Sequence, residues 1–305
     1  IVYKHKAGKF QIKINDIVSL KDDIHYRNVV VENLSENIID IKLLFDHNFC
    51  LLESSYADTI IWYQPMGVMW QYKKNRHVMF GAQKELYQFS CAAKTDNNGK
   101  GVMPDNNGEL DLNPVSTGDV CSTISLQANL GAKRTKKWVL FYCYSKTLSK
   151  VQTLCKRAKK TNVAYLFKKQ ALETSMYIDE VLNIKEMVVL GEYFNSEDIQ
   201  KILHYYKRSM LILNTQINHN GGVIAGNDGQ YLKLGGTDHY SYLWPRDAAF
   251  CAKALLCVKD IKKQLSARKD VILTGAKNNP IHRARRPAIA PAAASRAAVS
   301  RPISP

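Results

Sequence analysis

His239-Tyr240-Ser241-Tyr242-Leu243-Trp244-Pro245-Arg246-Asp247-Ala248-Ala249-Phe250 is the stretch on which the reading of this chain turns. Pro245 suits the first turn of a helix, where a missing N–H leaves no hydrogen bond unmade. The apolar spacing that follows predicts a helix from Arg246 to Val258. Arg246 and Asp247 then stand at a loop-to-helix junction, beside a wall of Tyr242 and Trp244. A sugar ring needs such surroundings. Its C–H faces pack on aromatic rings, and its hydroxyls need donors and acceptors together. Arginine supplies the donors and aspartate the acceptors. The same pair could instead be an ion pair capping a buried helix, and these twelve residues alone leave both readings open.

The sequence upstream adds to them. Tyr206-Lys207-Arg208-Ser209-Met210-Leu211-Ile212-Leu213-Asn214-Thr215-Gln216-Ile217 precedes a glycine turn, Asn220-Gly221-Gly222, that leads into Val223-Ile224-Ala225. Earlier still stand Tyr26-Arg27-Asn28-Val29-Val30-Val31-Glu32-Asn33, Tyr87-Gln88-Phe89-Ser90-Cys91-Ala92-Ala93-Lys94 and Gly108-Glu109-Leu110-Asp111-Leu112-Asn113-Pro114-Val115. In this order, and with the Trp-Pro-Arg-Asp block as the most specific part, residues 1–258 resemble the glucoamylase-like glycoside hydrolases, family 15, of the prokaryotic type. The resemblance implies a β-sandwich ahead of an (α/α)6 barrel of paired helices. It implies inverting hydrolysis of α-glucosidic bonds from non-reducing ends. Arg246 and Asp247 match the family's positions that grip the hydroxyls of the terminal glucose, with Tyr242 and Trp244 walling the ring.

Composition narrows the alternatives. The chain has 305 residues, 46% hydrophobic and 23% charged, as in a globular protein of two domains. No apolar run is long enough to span a bilayer, so no membrane partner is expected. Ile1-Val2-Tyr3-Lys4-His5-Lys6 is neither a signal peptide nor an initiator methionine. Seven cysteines are scattered singly, without a C-x-x-C pair, which predicts a reducing, cytoplasmic setting. Cys91, Cys143 and Cys251 lie in apolar surroundings. Eight histidines show no metal spacing, and neither metal nor cofactor is expected. The net charge of +16 invites a nucleic-acid reading. Residues 259–305, however, hold eleven Lys/Arg against two Asp/Glu and no aromatic residue to stack on a base. No nucleic-acid partner is expected, and the oligomeric state is not legible.

Four segments follow from periodicity. Residues 1–145 carry short alternating runs at Phe10–Ile14, Val29–Val31, Ile38–Phe45, Thr59–Tyr63, Val68–Tyr72, His77–Phe80, Tyr87–Ala92 and Trp138–Tyr144. They predict an antiparallel β-sandwich that folds largely without the rest. Asp96–Gly108 is expected to be a long hairpin loop. Residues 146–195 predict a helical linker: Leu148, Val151, Leu154, Cys155 and Ala158 share one face opposite a lysine-rich one, and a second helix covers Ala164–Leu172. Residues 196–258 predict the first helices of the (α/α)6 barrel. There Ser196 is the expected N-cap, and Ile199, Ile202, Leu203, Tyr206, Met210, Leu213 and Ile217 form one apolar face. Residues 259–305 form a basic Ala/Pro/Arg-rich tail with five prolines and no aromatics, expected to be disordered. Such a shift in residue usage marks a linker or an out-of-frame or truncated product, and the last is the expectation.

The chemistry is therefore expected to be incomplete. Inversion needs a carboxylic acid on the leaving oxygen and a carboxylate base on a water at the opposite face. The resemblance places both on glutamates downstream of Asp247, beyond the matching residues. Glu173, Glu180, Glu186, Glu192, Glu197 and Asp198 occupy linker or helix-cap positions, and Asp228 and Asp238 suit loops. The expectation is a glucoamylase-type hydrolase with no catalytic residue in this chain, acting on an α-glucan or other α-glucoside. The alternative is a non-catalytic carbohydrate-binding β-sandwich.

Overall fold

A computed structural model describes residues 1–53, 56–84, 86–181, 193–217, 223, 246, 248–252 and 298–299. An antiparallel β-sandwich is followed by helices. The larger sheet has the order β1 (Val2–Lys4), β2 (Phe10–Val18), β3 (Ile24–Asn33), β11 (Thr135–Ser145), β7 (Arg76–Ala82), β6 (Val68–Lys73), β5 (Asp58–Tyr63) and β9 (Val115–Gly118). The smaller sheet pairs β4 (Ile39–His47), β10 (Val120–Leu130) and β8 (Gln88–Ala93), with the two-residue β12 (Ala298–Val299) against β4.

Alternation decides which side chains meet. On β11, Trp138, Leu140, Tyr142 and Tyr144 enter the core between the sheets, together with Ile41, Leu43 and Phe45 of β4 and Ile124 and Leu126 of β10. The opposite face of the larger sheet presents Ile24, Tyr26, Val68, Met79, Phe141 and Cys143. A strand buried on both faces loses the polar half of its alternation, and β11 shows this as Trp-Val-Leu-Phe-Tyr-Cys-Tyr. Its outer cover is helix α2 (Leu148–Lys160), which rests on β11 and β7. Thr147 caps α2 by accepting from the Lys150 N–H at 3.4 Å. Val151, Leu154, Cys155 and Ala158 are the buried residues, on the face that the sequence spacing picks out. The linker helix is thus packed on the sheet, and it shares a core with it.

Two chain crossings between the sheets are tied by one buried side chain. Asn33 ends β3, where the chain leaves the larger sheet for β4. Its amide nitrogen donates to the carbonyls of Leu130 (3.0 Å) and Gly131 (2.9 Å), where β10 crosses back to β11, and to Asn37 (2.8 Å). Its oxygen accepts from the Ser35 N–H and hydroxyl.

The segment expected as a long hairpin is instead a crossing from β8 in the small sheet to β9 in the large one. Asp96–Gly99 forms one irregular helical turn, α1, with Asn97 and Asn98 left-handed at φ 51° and 59°. Asparagine tolerates that conformation better than most residues. The chain then returns over the small sheet, burying Leu110 and bonding Asn113 Nδ2 to the Cys91 carbonyl at 2.7 Å.

The described residues fall into two units, divided after Phe167. Helix α3 (Val163–Val181) starts in the first, where Val163, Leu166 and Phe167 join the α2 cluster. In the second, Ile178 of α3 packs with Met210 of helix α4 (Ser196–Thr215). The N-cap of α4 is Asn195, one residue before the expected Ser196. Its side chain accepts from the Asp198 N–H at 2.9 Å and donates to that carboxylate at 2.8 Å, a reciprocal pair that the serine does not make.

Candidate functional site

Of the four residues singled out for sugar binding, Arg246 lies among the described residues. It is helical and exposed, and residues 248–252 are helical as well. Tyr242, Trp244 and Asp247 lie outside the described residues, as do the Gly221-Gly222 turn and Asp228 and Asp238. Upstream, the predicted face of α4 is the covered one. Met210 is buried and Ile199, Ile202, Leu203, Tyr206, Leu213 and Ile217 are half-buried, while Tyr205 and Ile212 on other faces are exposed. An antiparallel bridge joins Ile217 to Val223.

Two side-chain groups in the sandwich escape a reading by sequence. The first is polar and lies between the sheets. Arg27 grips Asp16 with two nitrogens, at 2.8 and 3.1 Å, and His25 Nε2 lies 3.1 Å from the same carboxylate. Burial alone would raise the Asp16 pKa, but the hydrogen bonds from His25 and Arg27 outweigh it and bring it to about 2. His25 stacks on Tyr142, whose hydroxyl meets His47 Nε2 at 3.0 Å. Burial, helped by the Arg27 charge, drops the His47 pKa to about 3, so its imidazole is neutral. Nearby, buried Asp58 accepts from Gln71 Nε2 at 2.8 Å and lies 3.2 Å from the Lys73 ammonium. Gln71 also donates to the Phe49 carbonyl at 3.3 Å. These carboxylates have their acceptors engaged by cations and amides, which suits a framework and not a general base. The signal that could have found them is the polar residue at an inward position of a strand: His25 and Arg27 share parity with Val29 and Val31.

The second group is aromatic and lies on the outer face of the larger sheet, on strands to one side of α2. Trp70 and Tyr72 of β6 have ring centroids 4.6 Å apart. Tyr63 meets Trp70 edge-on at 5.7 Å, and His77 of β7 lies 5.8 Å from Trp70 and 6.3 Å from Tyr72. Trp70 Nε1 donates to His77 Nδ1 at 3.3 Å, and Gln152 of α2 donates to the Tyr63 hydroxyl at 3.0 Å. All four rings are half-buried.

Among the described residues no three His, Cys, Asp or Glu side chains are grouped to hold a metal ion. No described helix is long and apolar enough to cross a membrane. The six described cysteines are free thiols, and Cys91, Cys143 and Cys155 are buried as small apolar residues. Burial pushes their pKa values up, to about 12 at Cys91 and about 11 at Cys155.

No protein-family model matches the chain. No curated protein matches it either. Among solved structures, it is similar to a bacterial glucoamylase complexed with acarbose. The two are 14% identical, with a TM-score of 0.64, over 90% of this chain and 38% of that one. A protein of the human microbiome assigned as a kojibiose phosphorylase aligns at 16% identity over 52% of this chain and 20% of that one, with a TM-score of 0.35, too low to carry weight. The first likeness bears on fold, a sandwich followed by helices, and the chain spans 38% of the glucoamylase's length.

Proposed function

We propose that this chain is a glucoamylase-type glycoside hydrolase in lineage, and that its own residues bind the terminal glucose unit of an α-glucoside. The observation that carries this is the Tyr242-Leu243-Trp244-Pro245-Arg246-Asp247 block, with Arg246 on a helix, downstream of a sandwich similar in fold to a glucoamylase. Arg246 donates to sugar hydroxyls, Asp247 accepts from them, and Tyr242 and Trp244 cover the ring. Charge-assisted hydrogen bonds of this kind contribute about 1.5–3 kcal/mol each. Buried free thiols support a reducing, cytoplasmic setting.

Binding is not hydrolysis. The general acid and base of an inverting enzyme stand about 6.5–9.5 Å apart across the scissile bond. The resemblance assigns them to no residue of these 305, and each proton-transfer partner supplies about 10²–10⁴-fold of the rate. The 305-residue polypeptide is therefore expected to release no glucose from maltose, soluble starch or trehalose. Titration with maltose, followed by calorimetry, is expected to show weak binding that Asp247→Asn abolishes while the circular dichroism is unchanged. Glucose release above a blank, or maltose binding indifferent to Asp247→Asn, overturns this reading.

A further inference from the structure

The aromatic row on the sandwich is not needed by the Arg246–Asp247 site, and its chemistry is particular. Helix α2 rests on β7 and β11, reaches Val68 of β6, and leaves Thr59 and Ile61 of β5 and Trp70 and Tyr72 of β6 half-buried beside it. A helix lying on a sheet stands as a wall roughly 10 Å thick, so the strands next to it form the floor of a trough. Alternation puts Thr59, Ile61 and Tyr63 of β5, Trp70 and Tyr72 of β6 and His77 of β7 on that floor. None carries a formal charge when His77 is neutral, and burial lowers the His77 pKa. Trp70 Nε1 can only donate, so His77 Nδ1 is the acceptor of their hydrogen bond. The imidazole proton is then on Nε2, which remains a donor. Tyr63 is likewise held, through its hydroxyl, by Gln152. The rings are thus fixed before any ligand arrives, which lowers the entropy cost of binding.

We propose that this trough is a second saccharide-binding surface, with Tyr72 and Trp70 against the C–H faces of a neutral glycan chain and His77 and Thr59 bonding its hydroxyls. An uncharged, ring-lined floor edged by hydroxyl and imidazole groups complements a neutral oligosaccharide. A nucleic-acid backbone would need cations along the floor instead. That the glycan is an α-glucan rests on the function proposed above, whereas the surface itself rests on the rings.

The test is retardation of the full 305-residue chain in native gels cast with soluble starch or with hydroxyethyl cellulose, and titration with maltoheptaose read by tryptophan emission. Starch is expected to retard the chain, and Tyr72→Ala to weaken maltoheptaose binding about tenfold, the worth of one aromatic contact near 1.4 kcal/mol. Thr59→Arg, which fills the trough beside Tyr72 without removing a ring, is expected to do the same should the alanine variant fold poorly. Retardation by the cellulose derivative alone keeps the surface and overturns the α-glucoside assignment. Wild-type retention by both variants, or no retardation of the parent in either gel, overturns the surface.

Discussion

Asn33 shows how much of the sandwich hangs on single side chains. Its amide nitrogen faces three carbonyls and its oxygen faces two donors, so the orientation of the amide follows from its partners. It is fully buried, and Leu130 and Gly131 lie 97 and 98 residues away in the chain. Removing it leaves carbonyls unpaired where water enters poorly. Asn33→Ala is expected to lower the unfolding free energy by about 2–4 kcal/mol. Asn33→Asp should cost more at neutral pH, because a carboxylate oxygen then faces the same three carbonyls. Urea melts of the three proteins check this, and a loss below about 0.5 kcal/mol, the scatter of surface substitutions, would show that the crossings hold without it. Nothing in Glu32-Asn33-Leu34-Ser35-Glu36-Asn37 announces this role; the sequence shows a turn-rich stretch, and the partners come from far downstream.

Helix α2 changes what counts as the folding unit. The period switches at Ser145, and the expected autonomous domain therefore stopped there. The packing carries the core further, since Val151, Leu154, Cys155 and Ala158 cover Ile24, Tyr26, Phe141 and Cys143, all buried. Residues 1–167 are accordingly expected to unfold in one cooperative urea transition, and residues 1–145 at a clearly lower midpoint, with an exposed apolar face that binds hydrophobic dyes. In the whole chain, Leu154→Ala should lower stability by about 2–5 kcal/mol. Equal midpoints for the two fragments would mean that α2 merely rests on the sheet. Strand by strand, the sequence was legible where alternation was strong: all eight short runs lie in or overlap strands. It was silent on β10, the central strand of the small sheet, because Val120-Cys121-Ser122-Thr123-Ile124-Ser125-Leu126-Gln127 has Ser122 turned inward and Thr123 and Ser125 buried on the outer face. That face is covered by the returning 100–114 segment, which no local pattern foretells. For the candidate site, local pattern sufficed to expect a helix at Arg246. The aromatic row was missed because its four rings come from three strands and meet only through register.

At the scale of the molecule, the net charge of +16 and the buried histidine act in the same direction as acid is added. His47 is fully enclosed, with Phe80 at 4.4 Å and Phe49 at 5.8 Å between ring centroids, and it titrates near pH 3 in the folded chain against an ordinary value of 6.5. The unfolded chain therefore binds a proton first. Stability from this group is complete above about pH 6.5 and is lost progressively as pH falls toward 3. Asp16 has the same sign over a lower window. Its carboxylate, held by His25 and Arg27, contributes above its ordinary value of 3.8, and that contribution fades as pH falls toward 2. It is partly exposed, so solvent screening makes its share the smaller one. Protonation also removes negative charge from an already basic chain, and self-repulsion adds to the loss. The unfolding free energy from urea melts is thus expected to be flat above pH 7 and to fall between pH 6.5 and 4, by several kcal/mol at the lower end, at about 1.4 kcal/mol per pH unit. His47→Gln, which cannot take up that proton, should be less stable at pH 7 and show a much shallower fall down to pH 4. Were the variant to keep the parent's slope, the acid sensitivity would belong to the other histidines and to the overall charge, and the enclosure of His47 would be no part of it.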